Sequence, residues 1–368
     1  MINLKENLQA EIKRGREGKN VSIPITLTKL GDYIEIGRNT MYTIGGITGS
    51  GKSTIVQEVF LLSVMDWWMK NKDKTSIKLS VIYFGMERKM FMYAAKWVSR
   101  AIFRDQGINI PYMKILHRRG KRLEPKEAEL VEHYLELFNK WQEDEALIVF
   151  EGTKNPTGIS IFIDNFAKRH GEIIPRQDGE LESRSYKSYH ENHLVLIITD
   201  HIGILKKEKV DGRVKDNIDK FSTAMRDARD LYGFSPVIVQ QLNRSVSDVS
   251  RLKLGDTLPK LSDFAETSTT SHDSDVVLAL LDPYSILPEG TSTDVAGFNL
   301  NKLRDERGAK FYRSLHILKN SFDSNGIMIP LAFQPYYGMF KCMPKSKAKD
   351  MTDTDYQAII DGSWFLNE

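Results

Sequence analysis

The chain has 368 residues, 41% apolar and 27% charged, with a net charge of +3 and a single cysteine, Cys342. This is the composition of an ordinary globular protein, long enough for one large α/β domain or two smaller ones. One cysteine excludes a disulfide framework and a cysteine-based zinc site and fits a reducing cytoplasm. No apolar run approaches the ~18 residues a membrane span needs, and the charge is too small to announce a nucleic-acid partner by itself.

In chain order, residues 1–17 read as a polar helix and not as a signal peptide. Leu4, Leu8 and Ile12 form one narrow apolar stripe on it, and Gly15, Gly18 and Asn20 break it. Met41–Ile44 is a short buried strand, and Ile55–Phe60 begins a helix. Between them, Gly46 to Ser53 spell a complete G-x-x-x-x-G-K-[ST] phosphate loop. Its glycines let backbone N–H groups close round a polyphosphate, and the helix N-terminus adds partial positive charge. Gly46, Thr48, Gly49, Ser50, Gly51, Lys52, Ser53 and Thr54 are therefore the expected ATP-binding residues. Lys52 would reach the β- and γ-phosphates, and Ser53 would ligate Mg²⁺.

Further buried strands are expected at 79–84, 146–150, 194–199, 236–239 and 276–281. Helical patterns at 88–104, 124–142, 157–169 and 217–231 alternate with them. This alternation predicts an α/β fold with a mostly parallel central sheet covered by helices on both faces, followed by a C-terminal β extension over about 314–340. Residues 171–192 are polar and read as an exposed loop. Residues 283–312 carry Lys302, Arg304, Arg307 and Lys310, as either a partner-binding insertion or a solvated charged loop. Residues 344–368 read as a polar, then acidic, tail ending in Trp364-Phe365-Leu366.

Three strand ends carry chemistry. Strand 194–199 runs into Asp200, placed to hold the water shell of Mg²⁺ opposite Ser53. Strand 79–84 runs into Glu87, either a base that polarises water or an exposed helix-start residue. Strand 236–239 ends in Gln240 and Gln241, either a γ-phosphate sensor or plain surface polarity.

Together these segments resemble the motor domain of DnaB-type replicative helicases, within the RecA-like class of P-loop ATPases. Phe84-Gly85-Met86-Glu87-Arg88 stands where the family has Phe-Ser-Leu-Glu-Met. Ile197-Ile198-Thr199-Asp200-His201-Ile202-Gly203-Ile204-Leu205 is similar to its magnesium strand. Gln241-Leu242-Asn243-Arg244-Ser245-Val246 matches its sensor letter for letter. Leu261–Thr267 and Asp273-Ser274-Asp275-Val276-Val277 come next, in the family's order, so that the likeness runs over about residues 20–342.

The resemblance implies a linker helix at 1–17 that docks on the next subunit, a RecA-like motor at 18–343 and a separate tail at 344–368, a candidate docking segment for a replication partner. Such motor-only versions, without the family's primase-meeting N-terminal domain, are typical of phage-encoded relatives. It also implies Glu87 as catalytic base and Gln241 as sensor. Lys319 occupies the lysine place of the family's Lys-x-Arg finger, which acts on the neighbour's nucleotide. Ser321 stands where arginine is expected, and Arg313 lies about 20 Å up the strand at about 3.3 Å per residue. In such rings the loops after the magnesium and sensor strands face a central channel. Here those loops carry Lys206, Lys207, Lys209, Arg213 and Lys215, then Arg251 and Lys253, with no aromatic residue for base stacking. The expected activity is that of an ATP-driven hexameric ring translocating on single-stranded DNA in the cytoplasm, a replicative helicase. The alternatives are a RecA-like recombinase filament and a nucleotide-gated scaffold or loader with slow turnover.

Overall fold

The apolar runs line up side by side in the computed structural model, which describes residues 4–17, 22–175, 184–209, 212–243, 246, 251, 258–264, 268–286, 294, 295, 297–345 and 347–366. The main sheet is built from β1 (Tyr42–Gly46), β2 (Lys78–Gly85), β3 (Leu147–Glu151), β4 (His193–Asp200), β5 (Ser235–Gln241), β6 (Val276–Leu281), β7 (Tyr312–Asn320), β8 (Ile327–Gln334) and β9 (Met339–Cys342). Their spatial order is β9-β8-β7-β6-β1-β5-β4-β2-β3. From β6 across to β3 all pairings are parallel. The remaining pairs, β6 to β7 to β8 to β9, are antiparallel and form the expected C-terminal extension.

The parallel strands are apolar without interruption because both of their faces are covered. In β4 every residue is buried. Leu194, Leu196 and Ile198 point into one core, and Val195 and Ile197 into the other, as a period of two requires. The first core is closed by the helix that follows the phosphate loop and by two further helices, Met90–Gln106 and Pro125–Glu143, through Phe60, Trp97 and Trp141. The second is closed by Pro156–His170 and Val214–Tyr232, through Phe166 and Phe221. The helix after the loop is α-helical over Lys52–Val56, widens to a π-turn over Gln57–Leu62, and returns to α over Ser63–Asn71.

Three segments differ from the expectation. Residues 171–192 contain a β-hairpin, Gly171–Pro175 against Arg184–Ser188. Ile173 and Tyr186 pair across it and pack on the second core. The Tyr186 ring sits where a Cβ on Gly171 would be, and its hydroxyl donates to the Ala167 carbonyl at 3.0 Å. Polar flanks hid this pair of apolar anchors.

The acidic tail is also folded onto the body. Helices Asp353–Asp361 and Ser363–Leu366 turn Tyr356, Ile359 and Phe365 into a core with Phe103, Phe311 and Tyr337. The Trp364 indole N–H donates to the Cys342 carbonyl at 3.1 Å. Asp353 and Asp361 lie on the outer face; of the apolar residues that suggested a docking tail, Phe365 is buried and Trp364 half-buried, while Leu366 stays exposed. The described part of 283–312 joins the same core through Tyr284, Phe298, Leu300 and Leu303. Arg304 and Lys310 lie over the Tyr284 ring at 4.8 and 5.5 Å, so the described part of this segment is packed on the body. The first helix, Leu4–Arg16, by contrast leaves its stripe bare: Leu4, Leu8 and Ile12 are 79%, 62% and 47% exposed.

Candidate functional site

Parallel strands end on one side of a sheet, and the crevice beyond their carboxyl ends is where such folds bind ligands. The phosphate loop leaves β1 there. Gly46 has no room for a side chain, because a Cβ would come within 2.6 Å of the Ser50 hydroxyl and 2.8 Å of the Leu280 carbonyl. Gly51, at φ 103, takes a left-handed turn into the helix. The Ser50 hydroxyl is buried without a hydrogen-bond partner. The Lys52 ammonium donates to the Ile47 carbonyl at 2.8 Å, across the mouth of the loop. Lys52 is buried, and that burial pushes its ammonium down to about 8, against the upward pull of the Asp200 and Glu87 carboxylates. A buried cation, an unpaired hydroxyl and a helix N-terminus facing one crevice fit a polyphosphate.

Asp200, the last residue of β4, is fully buried. Ser53 Oγ donates to its Oδ1 at 2.8 Å, and Tyr83 Oη donates to its Oδ2 at 2.9 Å. Burial raises its pKa, while the Ser53 and Tyr83 hydrogen bonds work in the opposite direction. The Tyr83 hydroxyl in turn accepts from Gln57 Nε2 at 2.7 Å, and Gln57 Oε1 accepts from the Trp97 indole at 3.1 Å. A hydroxyl and a carboxylate set side by side next to the loop are an oxygen donor set suited to Mg²⁺.

Glu87 follows β2. The Met86 N–H donates to the Asp200 carbonyl at 3.1 Å, which fixes the chain immediately before it. Glu87 is exposed, and its charge is felt by both Lys52 and Asp200. Gln241 lies directly opposite Gly46 in the β5–β1 register, half-buried at the strand end. Gln240 points the other way, is fully buried, and accepts a bond from the Thr270 hydroxyl.

Lys319 lies elsewhere. It pairs with Val277 on β6, whereas Gly46 pairs with Leu280, so Lys319 sits three positions toward the opposite end of the sheet and two strands across. Its ammonium donates to the Ser271 and His272 carbonyls at 3.4 and 2.8 Å. It does not reach the phosphate loop of its own chain.

The loop after β4 is tied to the body at Lys206, whose N–H donates to the Lys154 carbonyl at 2.9 Å, and above all at Glu208, whose N–H donates to Asn217 Oδ1 at 3.2 Å. Glu208 Oε1 accepts from the Thr157 N–H and hydroxyl, both at 2.7 Å, and Oε2 accepts from Asn155 at 3.1 Å. With Glu208 tied to the start of helix Pro156–His170, Lys206, Lys207 and Lys209 are left exposed. Lys215 and Arg213 are exposed as well, with Arg213 paired to Asp216 at 2.9 Å. Arg251 is turned into its own fold: it donates to Asp263 at 2.6 Å and to the Leu258 carbonyl at 2.9 Å. Lys253 and the Arg244-Ser245 step of the sensor segment lie outside the described residues.

Some contributors carried no sequence signal. Tyr83 is one of two adjacent aromatic residues in a buried strand, and Glu208 is one acid among lysines. Their roles come from partners far away in the chain. Arg313 is a third: its guanidinium is buried and donates from Nε to the Ser50 carbonyl at 2.9 Å.

A family model described as the DnaB-like helicase C terminal domain matches residues 23–320. No curated protein matches the chain. Among solved structures, one described as an ATPase domain is 16% identical with a TM-score of 0.61, over 92% of this chain and 98% of that one. A DnaB-like replicative helicase, described together with its interactions with primase, is also 16% identical, with a TM-score of 0.60, over 93% of this chain and 68% of that one.

Proposed function

This chain belongs to the DnaB-like helicase C-terminal domain family and is an ATP-hydrolysing replicative helicase; from that premise we propose how its residues divide the work. ATP lies with its phosphates in the loop 46–53, against the backbone N–H groups and Lys52. Ser53 and Asp200 would hold Mg²⁺, which would supply positive charge to neutralise the phosphate oxygens. Glu87 orients a water and draws off its proton as the water attacks the γ-phosphorus and the bond to ADP breaks. Gln241, opposite Gly46, senses the presence of the γ-phosphate. The nucleoside extends past Thr54 into a cavity of about 150 Å³ lined by Gln57, Lys96, Tyr112 and Tyr337.

The observation that carries this reading is one convergence. Lys52, the Ser53–Asp200 pair, Glu87 and Gln241 come from four neighbouring strand ends, β1, β4, β2 and β5, onto one glycine loop. The reading extends to a hexameric ring on single-stranded DNA. The bare stripe Leu4, Leu8 and Ile12 supports docking of the first helix on a neighbouring subunit. Exposed Lys206, Lys207, Lys209 and Lys215 support backbone contact without base reading. Lys319, too far from its own loop, acts on the nucleotide of the adjacent subunit once it leaves the Ser271 and His272 carbonyls.

The test is a pair of variants. Lys52→Ala is expected to abolish hydrolysis and weaken ATP binding, because no other side-chain cation of this loop reaches the β- and γ-phosphates. Glu87→Gln is expected to keep ATP binding and stop turnover. Loss of binding in Glu87→Gln would make Glu87 structural. Ser321, where the family has arginine, favours a second reading in which turnover is slow and ATP serves chiefly to hold the ring together.

A further inference from the structure

The phosphate loop owes its two left-handed glycines a freedom that it must also restrain. Gly49 and Gly51, at φ 82 and 103, flank the Ser50 crest. A peptide between such residues flips at little cost, because glycine adopts both hands of φ about equally. A trans peptide points its C=O and N–H in opposite directions. Whatever holds the Ser50 carbonyl therefore decides where the Gly51 N–H points.

We infer that Arg313 is the positioning residue of the phosphate loop, acting within its own subunit by holding the Ser50–Gly51 peptide with its carbonyl outward and its N–H toward the phosphates. This deepens, and rests on, the reading of the loop as the ATP site. Arg313 Nε donates to the Ser50 carbonyl at 2.9 Å, and Nη1 donates to the Tyr312 carbonyl at 2.6 Å. Nη2 lies 3.4 Å from Asp282, at the end of β6. The guanidinium lies over the Phe333 ring at 4.7 Å and is only 5% exposed. Asp282 is itself held, accepting from the Tyr284 N–H at 3.2 Å and the Ser285 hydroxyl at 2.9 Å.

The clamp is built from the antiparallel extension. Phe333 and Phe340 stack at 4.6 Å and form a floor beneath the crest, where a Cβ on Gly51 would come within 3.3 Å of the Phe340 ring. Arg313, Phe333 and Phe340 come from β7, β8 and β9, so the extension braces the loop from the side. The three acceptors lie in different directions round one planar group. A lysine in that place keeps a charge for Asp282 but has no fork with which to reach Ser50 at the same time. The arginine is committed within its own chain, which removes it as a source of the finger that Ser321 lacks.

The experiment measures ATP and ADP affinity, KM and kcat for Arg313→Lys and Arg313→Ala, with circular dichroism to establish folding. KM and both dissociation constants are expected to rise about tenfold to a hundredfold, the scale of one charge-assisted hydrogen bond. The fall in kcat is expected to be smaller, since the Gly51 N–H would meet the bound phosphates both before and during the reaction. Added guanidinium ion is expected to restore part of the affinity in Arg313→Ala and none in the parent. Should Arg313→Ala fail to fold, Arg313→Lys, which keeps the Asp282 pair, decides the matter. A folded Arg313→Lys with unchanged KM and nucleotide affinity would overturn the inference. Lys52→Ala measured alongside separates the two levels: full ATP binding and turnover in that variant would remove the loop itself as the site, whatever Arg313 does.

Discussion

Removing one oxygen tests how the magnesium carboxylate is held. Tyr83→Phe keeps the ring contacts with Tyr93 and Trp97, both at 5.7 Å, and deletes only the hydroxyl. That hydroxyl donates to Asp200 Oδ2 at 2.9 Å and accepts from Gln57 at 2.7 Å. The lost charge-assisted bond costs about 1.5–3 kcal/mol, and the stranded Gln57 amide adds about 1–3 kcal/mol if no water reaches it. Because the two losses share one group, about 2–4 kcal/mol in all is expected, read from urea midpoints at constant slope. The chemistry moves with the stability. Burial already raises the Asp200 pKa, and the Tyr83 bond opposes that. Without it the pKa rises further, so at a fixed pH less of the free enzyme carries the carboxylate. The Mg²⁺ concentration for half-maximal ATPase activity is expected to increase, and the acid limb of the pH profile to move to higher pH. Unchanged midpoint, unchanged Mg²⁺ requirement and unchanged acid limb would refute the view that Tyr83 holds this carboxylate.

Burial lowers the Lys52 pKa to about 8, and the negative charge of a bound polyphosphate would raise it again. Binding therefore takes up a proton above about pH 8, and ATP affinity is expected to be full below that pH and to fall as pH rises through it, seen as buffer-dependent binding heats in calorimetry. Changing Lys206, Lys207 and Lys209 together to alanine is expected to weaken single-strand binding and flatten its salt dependence by roughly 0.7 in logarithmic slope per lost phosphate contact, while basal ATPase survives; an unchanged slope would make these lysines an ordinary solvated face. Lys319→Ala is expected to cost most of the hydrolysis and little nucleotide affinity, and to regain activity when mixed with Lys52→Ala subunits. No recovery in mixtures shown to co-assemble would place Lys319 in its own subunit or out of the reaction.

What the sequence disclosed is what short segments encode. The β/α alternation followed from apolar runs, and every expected strand of the parallel sheet is present. The loop and the acid and amide that close strands β4 and β5 stand out because each sits where an apolar run stops. The missed features depend on partners distant in the chain. The two hairpin strands, Gly171–Pro175 and Arg184–Ser188, offer only Ile173, Ile174 and Tyr186 as large apolar residues, and Tyr186 acquires its place from the bare Cα of Gly171. The tail composition is acidic, yet Tyr356, Ile359 and Phe365 are placed by Phe103 and Tyr337. Arg313 is 263 residues from the carbonyl it holds, and strand spacing alone ruled it out as a finger without indicating this use.

Steady-state ATP turnover with and without single-stranded DNA, run beside unwinding of a forked duplex, tests the central claim most directly. Turnover is expected to rise when the single strand is added, unwinding to require ATP, and both to vanish in Glu87→Gln while ATP still binds. Slow turnover that ignores the single strand, with no ATP-dependent unwinding from an assembled ring, would contradict the motor and leave ATP as the clasp of a scaffold.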